Sequence, residues 1–173
     1  CGDLLLLNAA NSAWTYSHHW SATPQLRFPP AEGPVPIGQL GWVWRQLLQL
    51  DAMVVRRVDG LPADAAADRQ MLEAAGLASA VFAPLVHGGQ ILGCVVLGRT
   101  RSQTPWSDGD VALVRSVADL FATSIERQRM QIEMSGRLQF ESLVGNIASG
   151  LLRTPANLLD PGIEQALQQI AEY

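Results

Sequence analysis

Ala78-Ser79-Ala80-Val81-Phe82-Ala83-Pro84-Leu85-Val86-His87-Gly88-Gly89-Gln90-Ile91-Leu92-Gly93-Cys94-Val95-Val96-Leu97 is two apolar runs joined by a His-Gly-Gly turn. Each run is long enough for a strand and well short of the roughly 18 residues a membrane helix needs. Two glycines at the junction accept the positive φ angles of a tight hairpin. Strands over 78–86 and 90–97, antiparallel to each other, are therefore predicted.

Downstream, Trp106-Ser107-Asp108-Gly109-Asp110 opens a long helix. Ser107 can cap it, and Asp108 and Asp110 sit in its positive first turn. Val114, Val117, Phe121 and Ile125 recur at helical spacing, and Ile132 carries the stripe on toward Gly136, a residue that can end or kink a helix. Phe140, Val144, Ile147 and Leu151 mark another amphipathic helix. After Thr154-Pro155, a last helix is expected with Asp160 as cap, Pro161 at its first position and Ile163, Leu167 and Ile170 as its stripe.

Upstream, Asp3 to Asn8 reads as a strand and Asn8 to Ser12 as turn chemistry. From Ala13 to Ser21, Trp14, Tyr16, His18 and Trp20 alternate with Thr15, Ser17 and His19, the period of a second strand. Pro24 to Pro36, with five prolines, reads as a loop. Gln39 to Leu50 reads as a helix with Leu40, Val43, Leu47 and Leu50 on one stripe, and Ala52 to Val58 as a strand. Ala63 to Ala75 is an alanine-rich helix stopped by Gly76. The succession defines an α+β domain around a central antiparallel sheet flanked by helices, with a long C-terminal linker helix.

Composition narrows the chemistry. At 173 residues, 48% hydrophobic and 16% charged, the chain can bury a core without metal or disulfide staples. A net charge of −4 and a pI near 5.3 argue against nucleic acid or direct membrane contact. All twelve basic residues are arginine, so a Walker A loop, a Schiff-base lysine and a catalytic ammonium are excluded. Cys1 and Cys94 form no CxxC motif, metal knuckle or disulfide framework, which points to a reducing, cytoplasmic setting. The start at Cys1, without a methionine, reads as a fragment of a longer protein.

Gly76-Leu77-Ala78-Ser79-Ala80-Val81-Phe82-Ala83-Pro84-Leu85, Gly88 to Leu97 and Trp106-Ser107-Asp108, in that order, resemble the second half of a GAF domain. Leu61-Pro62-Ala63-Asp64-Ala65-Ala66-Ala67-Asp68-Arg69 resembles the preceding segment in GAF domains of bacterial sensor histidine kinases and related regulators. The resemblance covers about residues 1–127 and implies a GAF domain lacking its N-terminal leader helix. Residues 128–137 then form a linker helix, and 138–173 resemble the leader helices with which a second GAF domain begins. Those helices are expected to dock on a GAF sheet or on its dimer helices.

The resemblance implies a non-catalytic sensory or regulatory module of a cytoplasmic signal-transduction protein, with its long helix passing a signal to an output such as a histidine kinase. Its best-defined chemistries lack their residues here. No Cys-His pair is present for a bilin, no resolving cysteine set for methionine sulfoxide reduction, and no Asn-Lys pair for a cyclic nucleotide. No cofactor and no metal are expected. His18 and His19, adjacent on a strand, point to opposite faces and cannot share an ion. Cys94 reads as a small core residue and His87 as solvated.

What remains is aromatic: Trp14, Trp20, Trp42 and Trp44 fall in the first 44 residues. The family's pocket lies between the sheet and the short helices, which makes Trp20, Trp42 and Trp44, with Arg69 as anion partner, the candidate small-ligand site. The opposing reading has the tryptophans completing the core and Arg69 paired with Asp68 or a carbonyl. Val114, Val117, Phe121 and Ile125 are the expected helical interface of a homodimer. The alternative function is a structural dimerisation module without ligand.

Overall fold

The computed structural model describes residues 1–22, 28, 33–100, 105–153 and 159–171, and within the last two stretches the side chains of 151–153, 159–161, 165, 169 and 171 are left aside. Six strands form one antiparallel sheet: β1 (Gly2–Leu7), β2 (Ala13–Trp20), β3 (Val35–Pro36), β4 (Met53–Val55), β5 (Ser79–His87) and β6 (Gln90–Arg99). Their order is β3-β2-β1-β6-β5-β4. The helices are α1 (Gly41–Leu47), α2 (Ala66–Ala74), α3 (Asp108–Arg153) and α4 (Leu159–Ala171), with short 3-10 turns over Ile37–Leu40, Val58–Gly60 and Ala63–Ala65.

The β5–β6 hairpin follows the sequence closely. His87 pairs with Gln90, and Gly88 and Gly89 take φ of 56° and 76°, the two positive angles a type I′ turn requires. The β1–β2 turn is built by Asn8, whose Oδ1 accepts from the Ser12 and Ala13 amides at 2.8 and 3.3 Å.

One apolar core lies on the face formed by Leu5, Leu7, Trp14, Phe82, Cys94 and Val96, closed by Leu40, Val43 and Leu47 from the α1 region and Leu72 from α2. Phe28 is fully buried there and meets Phe82 edge-on at 5.8 Å. Val81, Ala83, Leu85 and Val95 are buried as well, although they lie outside that cluster, so β5 and β6 are covered on both faces. On α3 the buried positions are Val114, Ala118 and Ala122, an i, i+4, i+8 line.

Several expectations shift. The helix over 39–50 is a 3-10 turn followed by α1, and it ends at Leu47; Leu50 is exposed at φ 59°. The strand over 52–58 is only Met53–Val55, because Val58 turns into a 3-10 helix and is buried there. The loop over 24–36 contains β3, whose Val35 pairs with Trp14; its other positions apart from Phe28, Gly33 and Pro34 lie outside the described residues. Helix α2 closes with a Schellman arrangement, in which Gly76 N donates to Glu73 O at 2.8 Å and Leu77 N to Leu72 O at 2.9 Å.

Gly136 does not end the helix: α3 runs through it and merges the two helices expected on either side. A helical glycine costs about 1 kcal/mol relative to alanine, and good helix formers on both sides offset that. Arg137 and Glu141 add an i, i+4 pair at 3.1 Å. The Thr154-Pro155 break lies outside the described residues, and α4 starts at Leu159, one residue before the expected cap.

By compactness the chain divides into Cys1–Ser124 and Ile125–Tyr173. In the second unit Phe140, Val144, Ile163, Leu167 and Ile170 are all exposed.

The sheet depends on a close approach at Gly93. A methyl there would collide with the Leu5 carbonyl oxygen and lie 3.0 Å from Leu6 Cα, both of them backbone atoms that cannot turn aside. Gly93→Ala is expected to lower stability by at least about 2 kcal/mol, read as a fall in the urea midpoint.

Candidate functional site

Helix α1 starts at Gly41 with Leu40 before it, so the local sequence offers no capping side chain. The cap comes from α2: buried Asp68 accepts from Trp42 N at 3.2 Å and from Val43 N at 2.9 Å. A carboxylate on these orphan amides supplies both hydrogen bonds and charge against the helix dipole. It also fixes the backbone at Trp42.

Beside Trp42 lies a cleft of about 380 Å³, walled by Trp42, Val54, Val55, Leu61 and Pro62 and edged by Arg56 and Arg57. Arg69 does not reach into it as an anion partner. Its Nη2 donates to the Leu61 carbonyl, and its Nε is buried without a partner. Arg57 is clasped by Asp59 through Nε at 3.0 Å and Nη2 at 2.5 Å. That pair holds the Asp59 carboxyl below its ordinary range and the guanidinium above its own. Arg56 has no hydrogen bond or ion pair among the described residues.

The other expected ligand residues stand apart. Trp44 meets Trp14 edge-on at 5.4 Å and lines a separate cleft of about 340 Å³ with Leu48, Leu50 and the Gln90–Ile91 end of the hairpin. Trp20 is 69% exposed near the end of β2 and joins neither cleft.

A bulge explains Trp20. Leu5 pairs with Tyr16 but Leu4 with His18, so Ser17 is an extra residue and the alternation changes phase. Beyond it His19, instead of His18, shares the core face with Trp14 and Tyr16. His19 Nδ1 lies 2.6 Å from Oδ1 of buried Asp3, which also accepts from the Tyr16 hydroxyl. Asp3 Oδ2 is buried without a partner. This polar group was missed from sequence; a lone aspartate heading a leucine run was its only signal.

Burial pushes the Cys94 thiol far above the usual range, and the Asp3 charge pushes the same way. Ser17 Oγ is 2.8 Å from His18 Nδ1, but the pair is exposed and no carboxylate orients the ring among the described residues. No cluster of three metal-binding side chains occurs among the described residues.

At the exit of the sheet, Arg99 of β6 stacks on Trp106 at 3.7 Å and reaches Asp110 Oδ2 at 3.3 Å. Ser107 and Asp110 form a reciprocal capping box, with Asp110 N to Ser107 Oγ at 3.1 Å and Ser107 N to Asp110 Oδ2 at 2.9 Å. These bonds hold the Asp110 carboxyl below its ordinary range. Of the expected interface residues, Val114 is buried within its own chain, Val117 and Ile125 are half-buried, and Phe121 is 41% exposed beside exposed Leu113 and Leu120.

The antiparallel sheet, the short helices over its core face and the long exit helix define the class: an α+β domain built on one central sheet. The GAF domain family model matches residues 4–125, and the chain belongs to that family. No curated protein sequence matches it.

Among solved structures, the fold is similar to a GAF domain/HD domain protein from Geobacter sulfurreducens, at 16% identity over 75% of this chain and 81% of that one, TM-score 0.61. It is also similar to the GAF domain of a two-component sensor histidine kinase from Bacillus halodurans, at 24% identity over 75% and 83%, TM-score 0.57. A methyl-accepting chemotaxis protein fragment, residues 122 to 287, aligns at 21% identity over 75% and 79%, TM-score 0.60. No described helix is long and apolar enough to cross a membrane.

Two outcomes follow from this geometry. Asp68→Ala is expected to lower stability by about 2 kcal/mol through loss of two charge-assisted cap bonds, with Asp68→Asn falling between; chemical denaturation measures both. In the native protein Cys94 is expected to resist iodoacetamide while Cys1, half-exposed, is alkylated, as peptide mass spectrometry would record.

Proposed function

We propose that this GAF domain is a non-catalytic sensor in a cytoplasmic signal-transduction protein, taking a small molecule in the Trp42 cleft and passing the change along α3. The observation that carries the reading is the junction at Arg99. One guanidinium ties the end of a core strand to the capping box of a helix that runs on for 46 residues. A ligand that favours one arrangement of the sheet and its short helices therefore acts on the helix start, provided it binds that arrangement more tightly. Sensor proteins among the structural neighbours support the same reading, with a histidine kinase as one output.

In this reading the chain works as a homodimer through exposed Leu113, Leu120 and Phe121, with Val117 and Ile125 beside them. Val114, already buried in its own chain, belongs to the fold. Residues 138–173 are read as the leader of a second GAF domain, whose exposed apolar stripes await that domain's sheet. A ligand-free dimerisation module is the second reading, and the solid core face, filled by Trp14 and fully buried Phe28, favours it.

Sedimentation and native mass spectrometry separate the two. The chain is expected to run as a dimer, and Phe121→Asp as a folded monomer, since burying such a side chain contributes roughly 1.5–3 kcal/mol per copy. An unchanged oligomer in the variant overturns the helical interface. A co-purified small molecule supports the sensor, and its absence supports the second reading.

A further inference from the structure

We propose that the Trp42 cleft selects a small organic monoanion, a carboxylate carried on a flat apolar body of about one aromatic ring. The proposal rests on the sensor reading above and gives that sensor a ligand class.

Charge sets the sign. Arg56 and Arg57 line the cleft, no acidic residue lines it, and the carboxylates near it are engaged: Asp59 with Arg57, Asp64 with Arg45, and Asp68 with the Trp42 and Val43 amides. Among the described residues the Arg56 fork is unfilled, in a chain whose net charge is −4. A cationic ligand would face that fork with nothing to pair against. A carboxylate matches its spacing with two parallel N–H···O bonds.

Local geometry argues for one negative charge and against a phosphate. Phosphate sites draw on several backbone amides or on a helix N-terminus. The nearest such donors, Trp42 N and Val43 N, are already taken by Asp68. Arg69, the other nearby cation, is turned onto the Leu61 carbonyl and braces the wall.

Size and polarity set the body. A volume of about 380 Å³ sits at the small end of ligand pockets, which run from roughly 300 to 1,000 Å³. Its walls are one indole, two valines, a leucine and a proline, so the surface offered beyond Arg56 is apolar and partly flat. An aromatic ring stacked near Trp42 occupies part of it, with the carboxylate directed at Arg56 and the remainder left to water.

The test titrates the 173-residue chain with benzoate, benzamide and benzylamine, following the indole N–H resonances by NMR, with Trp42 assigned through Trp42→Phe. Benzoate is expected to shift the Trp42 signal, and the neutral and cationic analogues to leave it in place. Arg56→Gln is expected to weaken benzoate about tenfold, the worth of one charge-assisted contact, with an unchanged melting temperature. Asp59→Asn frees the second guanidinium and is expected to tighten binding severalfold, a gain that misfolding cannot imitate.

Benzamide or benzylamine shifting Trp42 as strongly as benzoate overturns the ligand class and leaves the sensor reading standing. No shift with any probe, while native mass spectrometry still finds a co-purified compound, overturns the cleft alone. No shift and no compound overturns both.

Discussion

The two halves of this sheet are joined along one seam. Strands β3, β2 and β1 form one antiparallel run and β6, β5 and β4 another, and only the β1–β6 pairing unites them. The seam closes because Gly93 has no side chain where the Leu5 carbonyl passes. Leu5 and Cys94 then meet on the core face, and with their neighbours they form the floor on which α1 and α2 rest. Trp42 and Trp44, which line the two clefts, belong to α1, which rests on that floor.

The short helices are held by each other more than by their own sequences. Helix α1, seven residues long, is below the length at which an isolated helix persists in water. Its start is capped from α2 and its apolar side is sunk in the core. The placement of Trp42 is therefore a tertiary property: Asp68 positions the indole, and Arg69, one residue on, positions the facing wall through Leu61. Neighbouring residues on one helix turn thus build both sides of the cleft, one by capping and one by bracing.

Much of the fold could be read from sequence because its signals were local. The Gly88-Gly89 turn, the Ser107–Asp110 cap, the stop at Gly76 and the alternating apolar runs each state their structure within a few residues. The site was less legible. Trp42 was found, but Arg69 satisfies a carbonyl, and Arg56 becomes visible as an open cation only when Asp59 is seen to take Arg57. Trp20 and the Asp3–Tyr16–His19 group were misplaced or missed for one reason. A bulge at Ser17 changes the phase of β2, and no residue type announces a bulge in a polar strand. On α3 the interface reading follows helical periodicity alone, which cannot tell an apolar position buried in its own chain, such as Val114, from an exposed one, such as Phe121.

The strand order also sets a timetable for folding. The β5–β6 hairpin and the β1–β2 hairpin each close over a few residues and can form in microseconds. The seam joins Leu5 to Cys94, 89 positions apart, and loop-closure entropy must be overcome before that pairing returns any energy. On the ribosome, β1 is made early and waits, at about 5–20 residues per second, until its partner emerges. Through those seconds the edge of β1 that later meets β6, from Leu4 to Leu6, stays unpaired even with the β1–β2 hairpin closed.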